Sequence, residues 1–301
     1  MATEVLMADA STPGAGAGFE RVPRRDGTRR LLMVLSYLGL TVGALIVLFP
    51  IYMALVGSLV TAVDLGNEPP PFFPTHPQWS NYHAALFNDD LLKFIGNSLI
   101  QTTLIWVGAM VTTVLAAYAV AMLRFPGRTL LFIVIIASLG IPFEVTIATN
   151  YNTVAQLHMF NDVWGLTVPF MVSAVGIFLL RNAFLSIPKE MQEAAVLDGC
   201  GHVRFLWRVA IPLVRPQLAA ISVFIILGAW NQYVWPQLLT QTTGANEQLS
   251  PLQVGLAHLY GGFNGATIPL AGAIIAIIPV FILLALFNKQ LIRSLTAGAV
   301  K

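Results

Sequence analysis

EAAVLDGCGHVRFLWRVAIPLVRP, residues Glu193 to Pro216, decides how this chain is read. Long apolar runs flank it on both sides, yet it carries Glu193, Asp198, His202, Arg204, Arg208 and Arg215. Ionisable groups at that density are excluded from hydrocarbon, so the stretch is a polar island between membrane-crossing segments. Pro188, with its fixed φ and missing N–H, is tolerated just ahead of a helix start. Met191 to Leu197 holds good helix formers, and Gly199 with Gly201 then allows a sharp turn. A second short helix, Val203 to Ala210, follows until Pro212 and Pro216 limit it. The expectation is two short helices about a glycine elbow, with Glu193 and Asp198 on the first arm and Arg204 and Arg208 on the second. Such a piece is either a knuckle shaped for a socket on another protein or a charged loop joining two membrane spans.

Composition supports the membrane setting. Hydrophobic types make up 56% of the 301 residues, charged types 10%, and the mean hydropathy is +0.75. A soluble domain carries about a quarter charged residues, which argues against a water-soluble core and for a single all-α membrane domain. The net charge of +2 gives no reason to expect nucleic acid as a partner. Cys200 is the single cysteine, so an internal disulfide is excluded. His76, His83, His158, His202 and His258 are scattered without zinc spacing, and no metal site is expected. The chain lacks a G-x-x-x-x-G-K-[ST] loop, so it is not itself an ATP-binding engine.

Six apolar segments are long enough to cross about 30 Å of hydrocarbon as helices: Leu31 to Val56, Phe94 to Leu123, Thr129 to Thr149, Val163 to Leu180, Leu218 to Leu239 and Ala266 to Phe287. Residues 1–30, rich in Gly, Ala and Pro and then basic, read as a flexible cytoplasmic tail; residues 31–293 form the six-helix domain. With the N-terminus inside, every Lys and Arg except Lys93 falls on the cytoplasmic side, whereas Asp64, Glu68, Asp89, Asp90, Glu144, Asp162 and Glu247 fall outside. That bias is the positive-inside pattern. It puts both termini and the Glu193 elbow in the cytoplasm. The first outer segment, rich in proline and carrying Phe72, Phe73, Trp79 and Tyr82, reads either as an interfacial loop or as part of a landing surface for an extracellular partner.

Polar groups inside spans are costly unless they face the bundle interior or water. Glu144 follows Pro142 near the outer end of the third span, with Asn150 and Tyr151 beyond it. WNQYVWP places Asn231, Gln232, Tyr233 and Trp235 in the fifth. Amides and aromatic faces suit a polyhydroxylated solute, so these are candidates for a translocation path. Interhelical hydrogen bonds and an interfacial aromatic belt account for the same residues equally simply. No basic residue lies inside any of the six segments as drawn, so a phosphorylated solute finds no buried cation here.

Glu193, Ala194, Ala195, Asp198, Gly199, Phe205, Ile211, Pro212 and Pro216 stand in the order of the EAA loop of ABC importer membrane subunits, and the island resembles that loop. Cys200 stands where the family has a small alanine. RFPGR at Arg124, LSIPKEMQEAA from Leu185, WNQYVWP and the terminal RSLTAGAVK are similar to carbohydrate-uptake ABC permeases, specifically the second, six-span subunit typified by the maltose importer. LFPIYMALVGSL, GIPFEV and WNQYVWP look most like its glycerol-3-phosphate uptake branch.

The resemblance implies the type I ABC importer permease fold, with residues 185–216 as the coupling loop. Glu193, Ala194, Ala195, Asp198, Gly199, Arg204, Phe205, Arg208 and Pro212 would engage an ATPase. It further implies a second, different permease, two ATPase subunits that bind ATP and Mg, an extracellular solute-binding protein, and residence in the bacterial inner membrane. Residues 294–301 would reach between the ATPases. The solute would be sn-glycerol-3-phosphate or a glycerophosphodiester, or alternatively a disaccharide such as maltose or trehalose. A secondary transporter would need ion or proton sites, for which Glu144 is the one candidate. A membrane enzyme would need a catalytic constellation that this sequence does not offer.

Overall fold

The computed structural model describes residues 26–160, 162–241, 249–261 and 265–297. Residues 1–25 of the expected N-terminal tail, Glu247 and residues 298–301 of the expected C-terminal tail lie outside them. In chain order the α-helices are α1 (Asp26–Ser58), α2 (Ala62–Leu65), α3 (Ser80–His83), α4 (Leu91–Met122), α5 (Arg128–Ala137), α6 (Phe143–Gln156), α7 (Val163–Thr167), α8 (Ala174–Leu185), α9 (Lys189–Leu197), α10 (His202–Phe205), α11 (Ile211–Leu213), α12 (Arg215–Trp230), α13 (Val234–Gln241), α14 (Leu252–Gly261) and α15 (Thr267–Ala297). There is no strand among the described residues.

Two compact units divide the chain after Pro50. The first holds the N-terminal part of α1, where the hydroxyls of Ser36 and Thr41 each donate to a carbonyl one turn back, at Leu32 and Tyr37. Local bonds of this kind leave no hydroxyl facing hydrocarbon unpaired.

The second unit, from Ile51 onward, is built around α4. At 32 residues and a rise of about 1.5 Å each, α4 is roughly 48 Å long. α8, α12 and α14 pack against it, and α15 packs on α12. One apolar cluster gathers at its C-terminal end around Tyr118, Phe184, Phe205 and Leu206. Another gathers at its N-terminal end around Leu91, Phe94, Trp230 and Leu252.

Arg30–Ser58, Leu91–Met122 and Thr267–Phe287 are long and apolar enough to cross a membrane unbroken. Three bent pairs are long and apolar enough when taken together: Arg128–Gly140 with Phe143–Gln156 at 103°, Val163–Phe170 with Ala174–Leu185 at 44°, and His202–Leu213 with Arg215–Trp230 at 81°. Counting each pair as one span gives up to six among the described residues.

The bends depart from the straight segments read from sequence, and prolines account for two of the breaks. Ile141, preceding Pro142, is driven to extended φ −100°, ψ 108°, which ends the helical run that would have continued to Thr149. In the expected fifth span, Pro236 offers no N–H and its ring would clash with the Gln232 carbonyl. α12 therefore ends at Trp230, and the chain restarts as α13 only at Val234. Val163 to Leu180 is likewise interrupted, and α8 continues to Leu185. Arg181 consequently lies within a helix of the fourth span, contrary to the expectation of no basic residue there. Its guanidinium rests on the Phe132 ring, 3.9 Å from the centroid.

α14 has no counterpart in the span pattern, because ten residues are half of the roughly 20 a crossing needs. It is seated on α4 by polar contacts. Asn97 Nδ2 donates to the Ser250 carbonyl at 2.9 Å, and the Leu252 N–H donates to Ser98 Oγ at 2.7 Å. The Phe94 ring fills the space that a side chain at Gly255 would take. Gly255→Val is therefore expected to destabilise the purified chain by about 1–3 kcal/mol. Gly96→Ala, whose added carbon meets nothing within 4 Å, is expected not to, and thermal melting of the two variants checks the contrast.

Candidate functional site

The elbow is shaped by main-chain hydrogen bonds. α9 stops at Leu197, Asp198 follows as its C-cap, and Gly199 takes φ +70°. The Cys200 N–H donates to the Ala195 carbonyl at 2.8 Å, and the Gly199 N–H to the Val196 carbonyl at 3.0 Å. These are the two bonds of a Schellman closure, in which the left-handed position falls on glycine because it lacks a Cβ. The side chains of Ala195 and Cys200 lean together onto the apolar cluster at the C-terminal end of α4.

The second arm is longer than expected. α10 passes through a π turn, Leu206–Ala210, into α11, so Pro212 lies inside the arm and does not limit it. The π turn shifts the carbonyl against which the proline ring would clash in a regular α-helix. The break comes instead at Val214, ahead of α12.

Three contacts tie the elbow to the bundle. Tyr118 Oη donates to the His202 carbonyl at 3.2 Å, Gln192 Nε2 reaches Met122 Sδ at 3.1 Å, and Phe205 inserts into the core at 5% exposure. Phe205, expected among the docking residues, is thus an anchor. Glu193, Ala194, Asp198, Gly199, Arg204 and Arg208 are exposed, and Glu193 has no ion-pair partner among the described residues. Beside them Val196, Leu197, Val203 and Trp207 are also exposed, Leu197 at 88%. These apolar residues were not singled out from sequence, where they merge with the neighbouring hydrophobic pattern. An apolar patch ringed by charge has the character of a protein-docking surface.

A groove of about 650 Å³ runs along the bundle between α4, α8 and α12. Ile105 and Ala109 of α4, Ser173 and Gly176 near the start of α8, and Phe224 and Gly228 of α12 line it, with Phe143, Phe170 and Gln232. Of the residues expected along the path, Gln232 alone lines this groove. Its Oε1 accepts a hydrogen bond from Gln101 Nε2 at 2.7 Å. Gln101, absent from the sequence-based candidates, was marked only by being an amide in an apolar run.

The other candidates have local partners or lie elsewhere. Asn231 Nδ2 donates to the Leu227 carbonyl at 2.8 Å, and Asn150 Nδ2 to Thr146 Oγ1 at 3.3 Å. Tyr151 packs on Phe160 with ring centroids 4.9 Å apart. Glu144 is exposed in the first turn of α6, where the helix dipole favours a carboxylate. Tyr233 is partly exposed. Trp235 is 2% exposed and packs edge-on against Phe143 and Phe170, its Nε1 donating to the Gly165 carbonyl at 3.2 Å. It is a core residue, not a groove-lining one.

Residues 109–297, which include the elbow and much of the groove, match the model of the binding-protein-dependent transport system inner membrane component family. This chain belongs to that family. Among its relatives is the sn-glycerol-3-phosphate transport system permease protein of Yersinia pestis, 32% identical over 273 residues, covering 89% of this chain and 97% of the relative. The protein of the same description from Brucella suis biovar 1 is 32% identical over 272 residues, covering 87% and 95%. A solved structure, a bacterial ABC transporter involved in import of the acidic polysaccharide alginate, superposes with a TM-score of 0.75 at 26% identity. That match covers 87% of this chain and 97% of the neighbour. The fold is therefore the type I ABC importer permease fold, and the chain is a multi-pass membrane subunit of an importer.

The packing around Trp235 separates a structural role from a transport role. Trp235→Ala is expected to destabilise the chain by about 3–5 kcal/mol, whereas Tyr233→Ala is expected to leave the melting temperature nearly unchanged. Thermal unfolding in detergent measures both.

Proposed function

We propose that this chain forms one half of the translocation path of an ABC importer for sn-glycerol-3-phosphate or glycerophosphodiesters, and that it carries force from ATPase partners to that path. The observation that supports the coupling role best is the elbow. It holds Glu193 and Leu197 exposed outside the spans while Phe205 and the Tyr118 bond bind it to the helices that line the groove. A partner cleft that buried Leu197 would gain about 1.5–3 kcal/mol from that side chain alone, and a basic residue there would meet Glu193.

On this reading the chain is non-catalytic. ATP and Mg are bound by two ATPase subunits, a second and different permease completes the bundle, and an extracellular binding protein delivers the solute. The elbow and both termini lie in the cytoplasm, as the distribution of Lys and Arg favours. ATP binding closes the ATPases, the elbow moves with them, and the groove opens outward to receive solute. The solute class rests on the relatives of Yersinia and Brucella, whose descriptions name sn-glycerol-3-phosphate. A carbohydrate is the second reading, favoured by the alginate importer among the structural neighbours.

Vesicles that hold both permeases, the ATPases and the binding protein are expected to accumulate sn-glycerol-3-phosphate when ATP is supplied. Uptake of maltose or trehalose in its place would move the chain to the carbohydrate reading. Glu193→Arg and Gly199→Pro are expected to insert normally while separating ATP hydrolysis from uptake. Wild-type transport by either variant would remove the elbow from the mechanism.

A further inference from the structure

Gln101 is an amide 2% exposed, one turn along α4 from Ile105 and two from Ala109, both of which line the groove. Its Nε2 donates to Gln232 Oε1, a bond that joins residues 131 positions apart, and its own Oε1 has no hydrogen-bond partner among the described residues. We infer that Gln101 is a positioning residue for solute recognition, locking Gln232 so that the Gln232 amide nitrogen, and not its oxygen, is presented to the groove. The inference rests on the reading of this chain as an importer permease for a phosphorylated polyol.

A glutamine side chain offers a donor at one end and an acceptor at the other. Which end faces a cavity is set by whatever holds the opposite end. Here Gln232 Oε1 is turned toward Gln101, so the end left for the groove is the NH₂ group with its two donors, for which there is no partner among the described residues. Neutral donors match the oxygens of a phosphate or a hydroxyl, and they bind without the tight capture that a buried cation would impose. A groove with no basic residue in its lining among the described residues can select an oxygen-rich anion in this way and still release it. Leaving Gln101 Oε1 unpaired is costly in a buried site, and the orientation it enforces gives that cost a purpose.

The test is uptake of sn-glycerol-3-phosphate by vesicles containing the complete transporter. Gln232→Glu keeps an oxygen for Gln101 Nε2 but turns a second acceptor, with negative charge, toward the solute. It is expected to assemble with the partner subunits and to lose uptake by about tenfold or more. Gln101→Met, of similar volume, frees Gln232 to rotate and is expected to raise KM about tenfold with a smaller effect on kcat. The double variant Gln101→Met with Gln232→Met should be no worse than Gln232→Met alone, because both changes remove the same presented donor. Wild-type KM in Gln101→Met, wild-type uptake in Gln232→Glu, or multiplying effects in the double variant would each overturn the inference. Failure of the wild-type transporter to take up this solute would sink the substrate reading and the inference together, whereas normal wild-type uptake with unchanged variants sinks the inference alone.

Discussion

A peptide group in hydrocarbon finds no water, so wherever a helix is interrupted inside a span the protein must close the gap itself. That constraint explains where this chain concentrates its chemistry. Where the expected fifth span breaks between α12 and α13, the last turn of α12 is closed by short-range bonds, the Asn231 N–H to the Leu227 carbonyl and the Gln232 N–H to the Ala229 carbonyl. The interruption brings Gln232 to the groove and turns Trp235 into the core, where the Gly165 carbonyl receives its indole N–H. A continuous helix would have distributed these side chains around its circumference.

The same two helices serve both ends of the molecule. α4 contributes Ile105 and Ala109 to the groove and Tyr118 to the elbow, and α8 contributes Gly176 and Leu179 to the groove and Phe184 to the cluster that receives Phe205. Tyr118 and Phe184 meet edge to face, with centroids 5.8 Å apart. A close-packed interior transmits displacement with little compression. α9 and α10 are thus in packed contact with the two helices between which the groove lies.

Much of this was legible before the structure. The contrast between a charged island and apolar flanks is a matter of composition, and glycine at position 199 is a local signal with a local cause. The bends were harder to read, because a proline in an apolar run is compatible with a tolerated kink or a full break, and the choice at Pro142 and Pro236 depends on neighbouring helices. α14 escaped because it is too short for a span and is held by Asn97 and Ser98, distant in sequence. Gln101 escaped for the same reason, its meaning coming from a residue far along the chain. Trp235 and Phe205 show the converse, since an aromatic residue near a helix end reads equally well as belt, contact or core until its neighbours are known.

The turn at Gly199 is closed by backbone atoms alone, the amides of Gly199 and Cys200 against the carbonyls of Val196 and Ala195. No side-chain functional group takes part. Substitutions on the exposed face of α9 and α10 therefore leave the bonds that set the angle between them in place. Position 199 is the exception, because a side chain there would meet the positive φ that the turn requires.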